Sequence, residues 1–254
     1  MPHYVTDPRP PDGYESGLIE RDFSRFPQGY NSRPFDMPII PRSEWADRWH
    51  EKEKEKASLS HIRAKHNIPS TDQGQTNYCW AHSSTSGVML QRVNAGQPHV
   101  NLSATSIATK IKNFRNVGGW GAESLEYIAT HGICTLDDWP QGPAGIRRDM
   151  DTPIVWEKAK RFKVTEWMDL EPRNIDQLVT CLLLNIPVTS DFNWWGHSVC
   201  SIWFSFTDWT NLRGFENEIW NSWGDRLGDK GQGMLQGNKA PPDGMIAPRV
   251  ITAA

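Results

Sequence analysis

The hydrophobic pattern of this chain changes once, near Pro187. Before it, apolar residues recur at helical spacing, as Ile107, Ile111 and Phe114 do at i, i+4 and i+7. After it, β-branched and aromatic residues form short runs typical of strands, beginning with HSVCSIWFSF at 197–206. Because helices and strands are segregated and do not alternate, the pattern predicts an α+β fold, with a helical N-terminal half packed on an antiparallel, strand-rich half.

Four segments before Pro187 have the start and stop signals of helices. They are CWAHSSTSGVMLQRVNAG, LSATSIATKIKNF, GAESLEYIATHG and NIDQLVTCLLLNIP. Ser103 is a suitable N-cap for the second segment, and Gly96 and Gly132 are suitable terminators for the first and third. The first segment is rich in Ser and Thr, so we expect packing by the rest of the domain to hold it.

The first 55 residues differ from the rest of the chain. Eight of the eighteen prolines lie in residues 1–50, where apolar residues follow no steady period. We predict an extended arm over 1–55 and a folded domain over 56–254, with the arm lying on that domain or on a partner protein. The charged stretch SEWADRWHEKEKEKASLSHIRAKH begins within the arm, and its composition predicts a solvated helix or linker with Ser43 as N-cap.

Charge and hydropathy exclude several classes of function. The formal charge of −3 predicts no nucleic-acid partner, and no apolar run approaches the roughly 20 residues that span a bilayer. The N-terminal sequence MPHYVTDPRPPDGYESG lacks the apolar core of a secretory signal. We therefore expect no membrane partner, and a location in the cytoplasm or within a protein assembly such as a virus particle.

The cysteines predict neither a disulfide framework nor a metal site. Cys79, Cys134, Cys181 and Cys200 show no close paired spacing, and without a secretory signal free thiols are expected. No C-x-x-C or H-E-x-x-H motif occurs, so the sequence predicts no metal and no cofactor.

Cys79 begins the first of the predicted helices. A lone cysteine at such a position is most often a small buried residue. The other interpretation is a nucleophile, because a helix N-terminus stabilises a thiolate through its dipole. That interpretation needs a histidine to take the proton and a third group to orient the histidine. His197, at the start of a strand, and Asn221, at the end of another, carry no such meaning alone.

Taken in order, three segments resemble the papain-like cysteine peptidases, since QGQTNYCW, GHSV and WNSWG give the Cys…His…Asn order of that family. Gln73 lies six residues before Cys79, where the family has the glutamine of its oxyanion hole, and Trp80 follows the cysteine as in the family. NSWG at 221–224 matches the family's asparagine segment. GGWGAESLEYIATHGI at 118–133 is similar to its Gly-Gly turn and the helix after it.

The resemblance, which covers roughly residues 60–240, implies a papain-like fold with a catalytic cleft between its two halves. It also implies a mechanism. Cys79 would attack a peptide carbonyl as a thiolate, and His197 would carry the thiol proton to the leaving amine. Asn221 would orient the ring, and the side-chain amide of Gln73, with the backbone N–H of the nucleophile, would hold the oxyanion.

The same resemblance assigns three residues to substrate binding and protection of the site. Gly118 and Gly119 lack Cβ and would let an extended substrate backbone approach closely. Trp223 would cover the hydrogen bond between Asn221 and His197 and keep water away from it.

The chain departs from the family near the nucleophile. Family members usually carry a disulfide between the positions that hold Thr76 and Asn116 here, and the loss of both partners fits a reducing compartment. Asn77 and Tyr78 replace the small residues before the nucleophile, and we expect their bulk to narrow access to the oxyanion hole. His82 stands where an apolar residue is usual and is not the predicted base.

We predict a cysteine-type endopeptidase acting on peptide or protein substrates, with the arm serving as a divergent pro-segment or an assembly arm. The alternative is a papain-fold structural or interaction protein, such as a virus-particle component, with weak or vestigial peptidase activity and an arm that binds a protein partner. A third interpretation is hydrolysis of a non-protein amide, such as a peptidoglycan crosslink, by the same residues.

Overall fold

The computed structural model describes residues 3–7, 9–30, 32–226 and 228–251. The remaining positions of the predicted arm and domain lie outside the described residues. The helices are α1 (Trp45–Glu55), α2 (Leu59–Lys65), α3 (Cys79–Asn94), α4 (Ala104–Ile111), α5 (Gly121–His131), α6 (Pro153–Ala159) and α7 (Ile175–Leu183). The strands are β1 (Arg33–Pro34), β2 (Val164–Leu170), β3 (Val188–Phe192), β4 (His197–Phe206), β5 (Phe215–Trp220), β6 (Gln232–Gln236) and β7 (Gly244–Ile251).

Within the described residues, seven strands form one sheet in the order β1-β2-β7-β3-β4-β5-β6. β1 pairs with β2 in parallel, and the other neighbouring strands are antiparallel. The last strand of the chain therefore lies inside the sheet, with Asp191 of β3 opposite Gly244 and Asp169 of β2 opposite Ile246. The α+β prediction is confirmed, although β1 and β2 lie before Pro187, where the pattern predicts only helices.

Helix α3 forms the centre of the domain. Its residues from Cys79 to Val93 are all buried, and it contacts β3, β4 and β7 of the sheet as well as α2, α4 and α5. Hydroxyl groups join α3 to its neighbours. Ser124 of α5 donates to Ser84 at 2.6 Å, and Thr189 of β3 donates to Ser84 at 3.2 Å. Tertiary packing thus holds this Ser- and Thr-rich helix, as predicted.

Two of the helix ends predicted from nearby residues are present in the structure. The hydroxyl of Ser103 accepts a hydrogen bond from the N–H of Ser106 at 3.2 Å and caps α4. Gly132 follows α5 with a φ of 86°, a left-handed value that favours glycine.

The prediction for α1 is wrong in two respects. Ser43 lies inside a 3₁₀ turn and does not cap the helix, which begins at Trp45. The segment is a helix, one of the two predicted alternatives, but it is not fully solvated, because Trp45 is 3% exposed and the indole N–H of Trp49 donates to the carbonyl of Phe204 in β4 at 2.7 Å. Its charged composition concealed two tryptophan anchors on one face.

The arm crosses its own domain from one edge of the sheet to the other. Near its start, the N–H of Val5 donates to the carbonyl of Met234 in the edge strand β6 at 3.0 Å. Near its end, Arg33 and Pro34 form β1 and pair with β2 at the opposite edge. Between these two contacts, the arm passes the starts of α3 and β4.

Candidate active site

Three elements bring Cys79, His197 and Asn221 together. Cys79 is the first residue of α3, His197 is the first residue of β4, and Asn221 follows the last residue of β5. β4 and β5 are paired, which places the histidine and the asparagine side by side, and α3 packs on β4 and brings the cysteine to them. All three side chains are buried.

The ring of His197 has a defined orientation. Its Nε2 lies 2.9 Å from Oδ1 of Asn221. Oδ1 also accepts the backbone N–H of Ser222 at 2.7 Å, so it is an acceptor and Nε2 carries the proton. Nδ1 of the neutral ring is then a bare acceptor, and it has no hydrogen bond to any described residue. An unengaged, buried imidazole nitrogen is the group that a thiol needs to lose its proton.

Burial keeps the nucleophile and the base uncharged in this arrangement. It raises the pKa of the Cys79 thiol to about 12, although the backbone N–H groups of Ser198 and Trp80 act to lower it. Burial also lowers the pKa of His197 to about 4, against a smaller opposite effect of the hydrogen bond with Asn221. Desolvation therefore outweighs the helix dipole, which the sequence predicts to lower the thiol pKa.

Two tryptophans enclose the imidazole. Trp223 is stacked on His197, with ring centroids 4.5 Å apart and planes inclined by 28°. Trp195 meets His197 at 4.9 Å and 61°, and it meets Trp223 edge-on at 5.6 Å. Sequence reasoning missed Trp195, although its position two residues before the histidine in WWGHS was an available signal.

Gln73 is held beside this cluster by the segment that contains Asn221. The hydroxyl of Ser222 donates to Oε1 of Gln73 at 2.6 Å, and the N–H of Gln73 donates to the carbonyl of Ser222 at 2.9 Å. Nε2 of Gln73 donates to the carbonyls of Thr76 at 2.8 Å and Glu15 at 2.7 Å. Both hydrogens of the amide thus form hydrogen bonds, one of them with the arm, and no sequence signal indicates either contact.

The arm lies directly on the glycine pair. The N–H of Gly119 donates to the carbonyl of Gly17 at 3.0 Å, and the N–H of Ile19 donates to the carbonyl of Gly119 at 2.9 Å. A Cβ placed on Gly118 would lie 2.4 Å from the carbonyl oxygen of Gly17. Glycine at this position is therefore what permits an extended backbone to approach so closely.

The arm also contacts the opposite side of the site. The N–H of Leu18 donates to the carbonyl of Gly196, the residue before His197, at 3.1 Å. The ring of Tyr14 lies 6.3 Å from that of Trp223. The arm thus bridges the glycine pair and the start of β4, the strand that begins with the histidine.

The departures from the papain pattern have structural counterparts. Oδ1 of Asn116 accepts the N–H of Asn77 at 2.7 Å, and its Nδ2 donates to the carbonyl of Gln75 at 2.9 Å, so hydrogen bonds stand where the family has a disulfide. Tyr78 does not narrow access, contrary to expectation. Its ring is fully buried, and its hydroxyl donates to the carbonyl of Arg115 at 2.9 Å.

His82 lies inside α3, three residues after Cys79, and is fully buried. Neither ring nitrogen has a hydrogen bond to a described residue. Burial, with a smaller effect of the charge on His197, lowers the pKa of His82 to about 3. The ring is therefore neutral at neutral pH, and no third group orients it as Asn221 orients His197.

Cys79, Cys134, Cys181 and Cys200 are buried free thiols. Among the described residues, no three His, Cys, Asp or Glu side chains are grouped as a metal ion would require. No described helix combines the length and apolar character that crossing a membrane requires.

Comparison with solved structures identifies the fold. Xylellain, a cysteine protease from Xylella fastidiosa, superposes with a TM-score of 0.66 at 18% identity, over 98% of this chain and 99% of that one. A digestive procathepsin L2 from the larval midgut of Tenebrio molitor gives 0.64 at 18% identity, over 99% and 84%. The ragweed pollen cysteine protease Amb a 11, in its proform, gives 0.57 at 16% identity, over 76% and 65%.

No family model and no curated protein matches the sequence. The fold is nevertheless that of the papain-like cysteine proteases, as the sequence predicts.

Proposed function

We propose that this protein is a cysteine-type endopeptidase whose arm blocks its own active site. The observation that carries the proposal is the orientation of His197. Its Nε2 is fixed by Asn221, and its buried Nδ1 has no hydrogen bond to a described residue. The next residue, Ser198, gives its backbone N–H to the thiol of Cys79, which begins a helix. The fold of known cysteine proteases supports the same conclusion.

The proposed reaction follows from these positions. Cys79 transfers its proton to Nδ1 of His197, and the sulfur attacks the carbonyl carbon of a peptide bond. The imidazolium then protonates the leaving amine, and a thioester on the sulfur remains. Water, deprotonated by the same ring, attacks the thioester and releases the acid. Asn221 keeps the ring in the tautomer that each step requires.

The oxyanion of each tetrahedral intermediate would be held by Nε2 of Gln73 and the backbone N–H of Cys79. In the arrangement described above, Nε2 already donates to the carbonyl of Glu15. The arm thus presents a carbonyl to the donor that a substrate carbonyl would use. This contact supports an inhibitory pro-segment as the role of the arm.

Two further observations support inhibition over assembly. Backbone groups of the arm near the site bond to the domain itself, at Gly119 and Gly196, which leaves fewer of them for another protein. Arm and domain also fit tightly, because a Cβ placed on Gly17 would lie 2.3 Å from the carbonyl oxygen of Asn77. Two of the similar structures are themselves described as a procathepsin and a proform. No contact favours the assembly protein or the hydrolysis of a non-protein amide.

The test uses the full chain with the substitution Gly17→Ala, because its new Cβ forces the arm away from the nucleophile. An epoxysuccinyl peptide, which alkylates active thiols, should label Cys79 of this variant stoichiometrically, and the variant should hydrolyse casein. The wild type should label slowly.

The double variant Gly17→Ala with Cys79→Ala is the control. It should not be labelled by the epoxide and should not hydrolyse casein. A folded Gly17→Ala protein that is neither labelled nor active would refute the peptidase function.

A further inference from the structure

One cation of the arm is buried in the domain beside the cleft. The guanidinium of Arg21 forms a two-pronged ion pair with Asp169 of β2, with Nη1 to Oδ1 at 3.0 Å and Nη2 to Oδ2 at 2.8 Å. The two side chains are only 5% and 1% exposed. Oδ2 of Asp169 also accepts the N–H of Gly29, another arm residue, at 2.8 Å. The carboxylate on the domain is therefore neutralised and hydrogen-bonded by groups of the arm.

An aromatic face completes this position. The guanidinium carbon of Arg21 lies 4.9 Å from the ring centroid of Trp120, which is itself only 8% exposed. Trp120 directly follows Gly119, and Arg21 comes two residues after Ile19, which bonds to that glycine. The cation thus lies next to the place where the arm backbone pairs with the cleft.

A second buried carboxylate lies close by, with unused capacity to accept hydrogen bonds. Asp191 of β3 is 6% exposed, and no described residue donates a hydrogen bond of normal geometry to its Oδ1. Its Oδ2 accepts a long hydrogen bond of 3.3 Å from the N–H of Gly121, and the side chain of Ser198 also acts on the carboxyl as a hydrogen-bond donor. Glycine at 244, opposite Asp191, leaves room beside it, because a Cβ there would lie 3.2 Å from Oδ2.

Asp191 connects this region to the nucleophile. Burial raises the pKa of its carboxyl to about 6, and the charges of Arg21 and Asp169 both act on it. The charge of Asp191 in turn acts on the thiol of Cys79. Asp191 is thus near enough for its charge to act on the thiol of Cys79 and for the charges of Arg21 and Asp169 to act on its own carboxyl.

We propose that Asp169, Asp191 and the face of Trp120 form a specificity site for an arginine side chain of the substrate, which Arg21 of the arm occupies in the closed protein. The inference rests on the proposed function and names its substrate class, peptides that carry arginine on the acyl side of the bond to be cleaved. In the closed structure, Arg21 already places in the site a guanidinium, the group that an arginine of the substrate would supply.

The site would favour an arginine of the substrate because opening of the arm leaves its carboxylate without its partners from the arm. When the arm leaves, Asp169 loses both Arg21 and the N–H of Gly29, and a carboxylate that has lost a two-pronged ion pair gains from a new guanidinium in the same place. Two acids over an aromatic ring suit the planar, weakly hydrated guanidinium better than the compact ammonium of lysine. An arginine of the substrate would restore the ion pair that Asp169 lost with Arg21, whereas a neutral side chain would not.

The first experiment needs no activity. The full chain with Arg21→Ala is heated with ethylguanidinium, and with the neutral isostere ethylurea as the control. We expect a saturable rise in the melting temperature with ethylguanidinium alone. The rise should be absent from the wild type and from the double variant Arg21→Ala with Asp169→Asn. A folded Arg21→Ala protein that gains no stability from ethylguanidinium would show that the site does not accept a free guanidinium.

The second experiment measures specificity in the full chain with Gly17→Ala and Arg21→Ala. Peptide pairs carry arginine or its neutral isostere citrulline at each of the four positions before the cleaved bond. At one position, arginine should raise kcat/KM at least about tenfold, the effect of one charge-assisted hydrogen bond. Adding Asp169→Asn or Asp191→Asn should bring this ratio close to one, because each substitution removes one of the two charges that would bind the guanidinium.

Asp176→Asn provides a matched control, because Asp176 binds Arg42 of the arm with two hydrogen bonds on α7, outside this site. It should leave the arginine preference intact. Cleavage of both peptides at equal rates at every position would overturn the arginine site and leave the peptidase standing. Absence of cleavage and of labelling at Cys79 would instead refute the peptidase, and the ethylguanidinium result would then decide the site alone.

Discussion

The carbonyl oxygen of Glu15 accepts a hydrogen bond of 2.7 Å from Nε2 of Gln73, the same atom that donates to the carbonyl of Thr76. An amide nitrogen has two hydrogens, so Gln73 has none left for a substrate. Exchange of the Glu15 carbonyl for a substrate carbonyl would make no net change in hydrogen bonds at Nε2. Opening of the arm is therefore limited by its other contacts, chiefly those of Gly17, Arg21 and Gly29.

Gly17→Ala should open the arm, and Gly13→Ala should not. Both residues have positive φ and gain one methyl group, but the Cβ at 17 meets a backbone oxygen at 2.3 Å, whereas the Cβ at 13 meets nothing within 4 Å. Limited trypsin digestion of the arm should therefore accelerate strongly for Gly17→Ala alone. Equal acceleration in the two variants would point to backbone strain, and the close fit over Asn77 would then have no special importance.

Gln73→Ala, in the Gly17→Ala background, should lower kcat by about 10²–10³, the usual effect of losing one oxyanion donor. The substitution leaves Cys79 and His197 in place, so epoxide labelling of the thiol should fall much less than peptide hydrolysis. Steady-state kinetics on one fluorogenic peptide provide the measurement. Parallel losses in labelling and hydrolysis would mean that Gln73 mainly supports the fold near Ser222.

His197→Ala should abolish labelling of Cys79 in the opened protein, whereas His82→Ala should retain it. Of these two histidines, His197 has a partner that orients its ring, whereas neither ring nitrogen of His82 has a hydrogen bond to a described residue. Intact-mass spectra after a timed exposure to the epoxide give the labelled fraction. Loss of labelling in His82→Ala with retention in His197→Ala would reverse the assignment of the base.

His82 should make the protein less stable as the pH falls. The pKa of about 3 in the folded chain lies below the ordinary value near 6.5, so the unfolded chain binds the proton first. The contribution of His82 to the free energy of unfolding is complete above pH 6.5 and is lost as the pH falls from there towards 3. By pH 5 the loss is about 2 kcal/mol in the free energy of unfolding.

Between pH 7.5 and pH 5, the free energy of unfolding of the wild type should therefore fall by about 2 kcal/mol more than that of His82→Leu, as measured by urea unfolding. The control is His66→Leu, at an exposed position. A pH dependence that is the same in wild type and His82→Leu would contradict the prediction.

Asn116→Ala should destabilise the loop before the nucleophile. It removes the bonds to Asn77 and Gln75, which together are worth about 1–3 kcal/mol. Faster amide exchange is expected at the N–H of Asn77, together with a lower melting temperature. Asn116→Asp is a useful comparison, because it keeps the acceptor for Asn77 and loses only the donor to Gln75. Unchanged exchange in both variants would show that other contacts hold the loop.

The sequence predicted those parts of the molecule that depend on neighbouring residues. Ser103 caps α4 through a bond to a residue three positions away, and Gly132 ends α5 through its own φ. The order of Gln73, Cys79, His197 and the NSWG segment also predicted the fold, since the ordered motif carries long-range information that no single residue has.

The individual contacts of the arm could not be predicted in this way, because they join residues far apart in the chain. Glu15 meets Gln73, and Arg21 meets Asp169, 148 residues later. Nothing in the local pattern of the arm indicates these partners, and its prolines and charges resemble those of a solvated segment. The pKa of Cys79 could not be predicted from the helix end either, since burial reverses the expected effect.

The pairing of the arm with both edges of the sheet has a consequence beyond inhibition. Val5 bonds to β6 and Arg33–Pro34 pair with β2, so the arm caps the two strands that would otherwise end the sheet. An uncapped strand is a template for another chain, and exposed edges promote aggregation. The arm therefore protects both edges of the sheet, and its loss would leave two strand edges open to pairing with another chain.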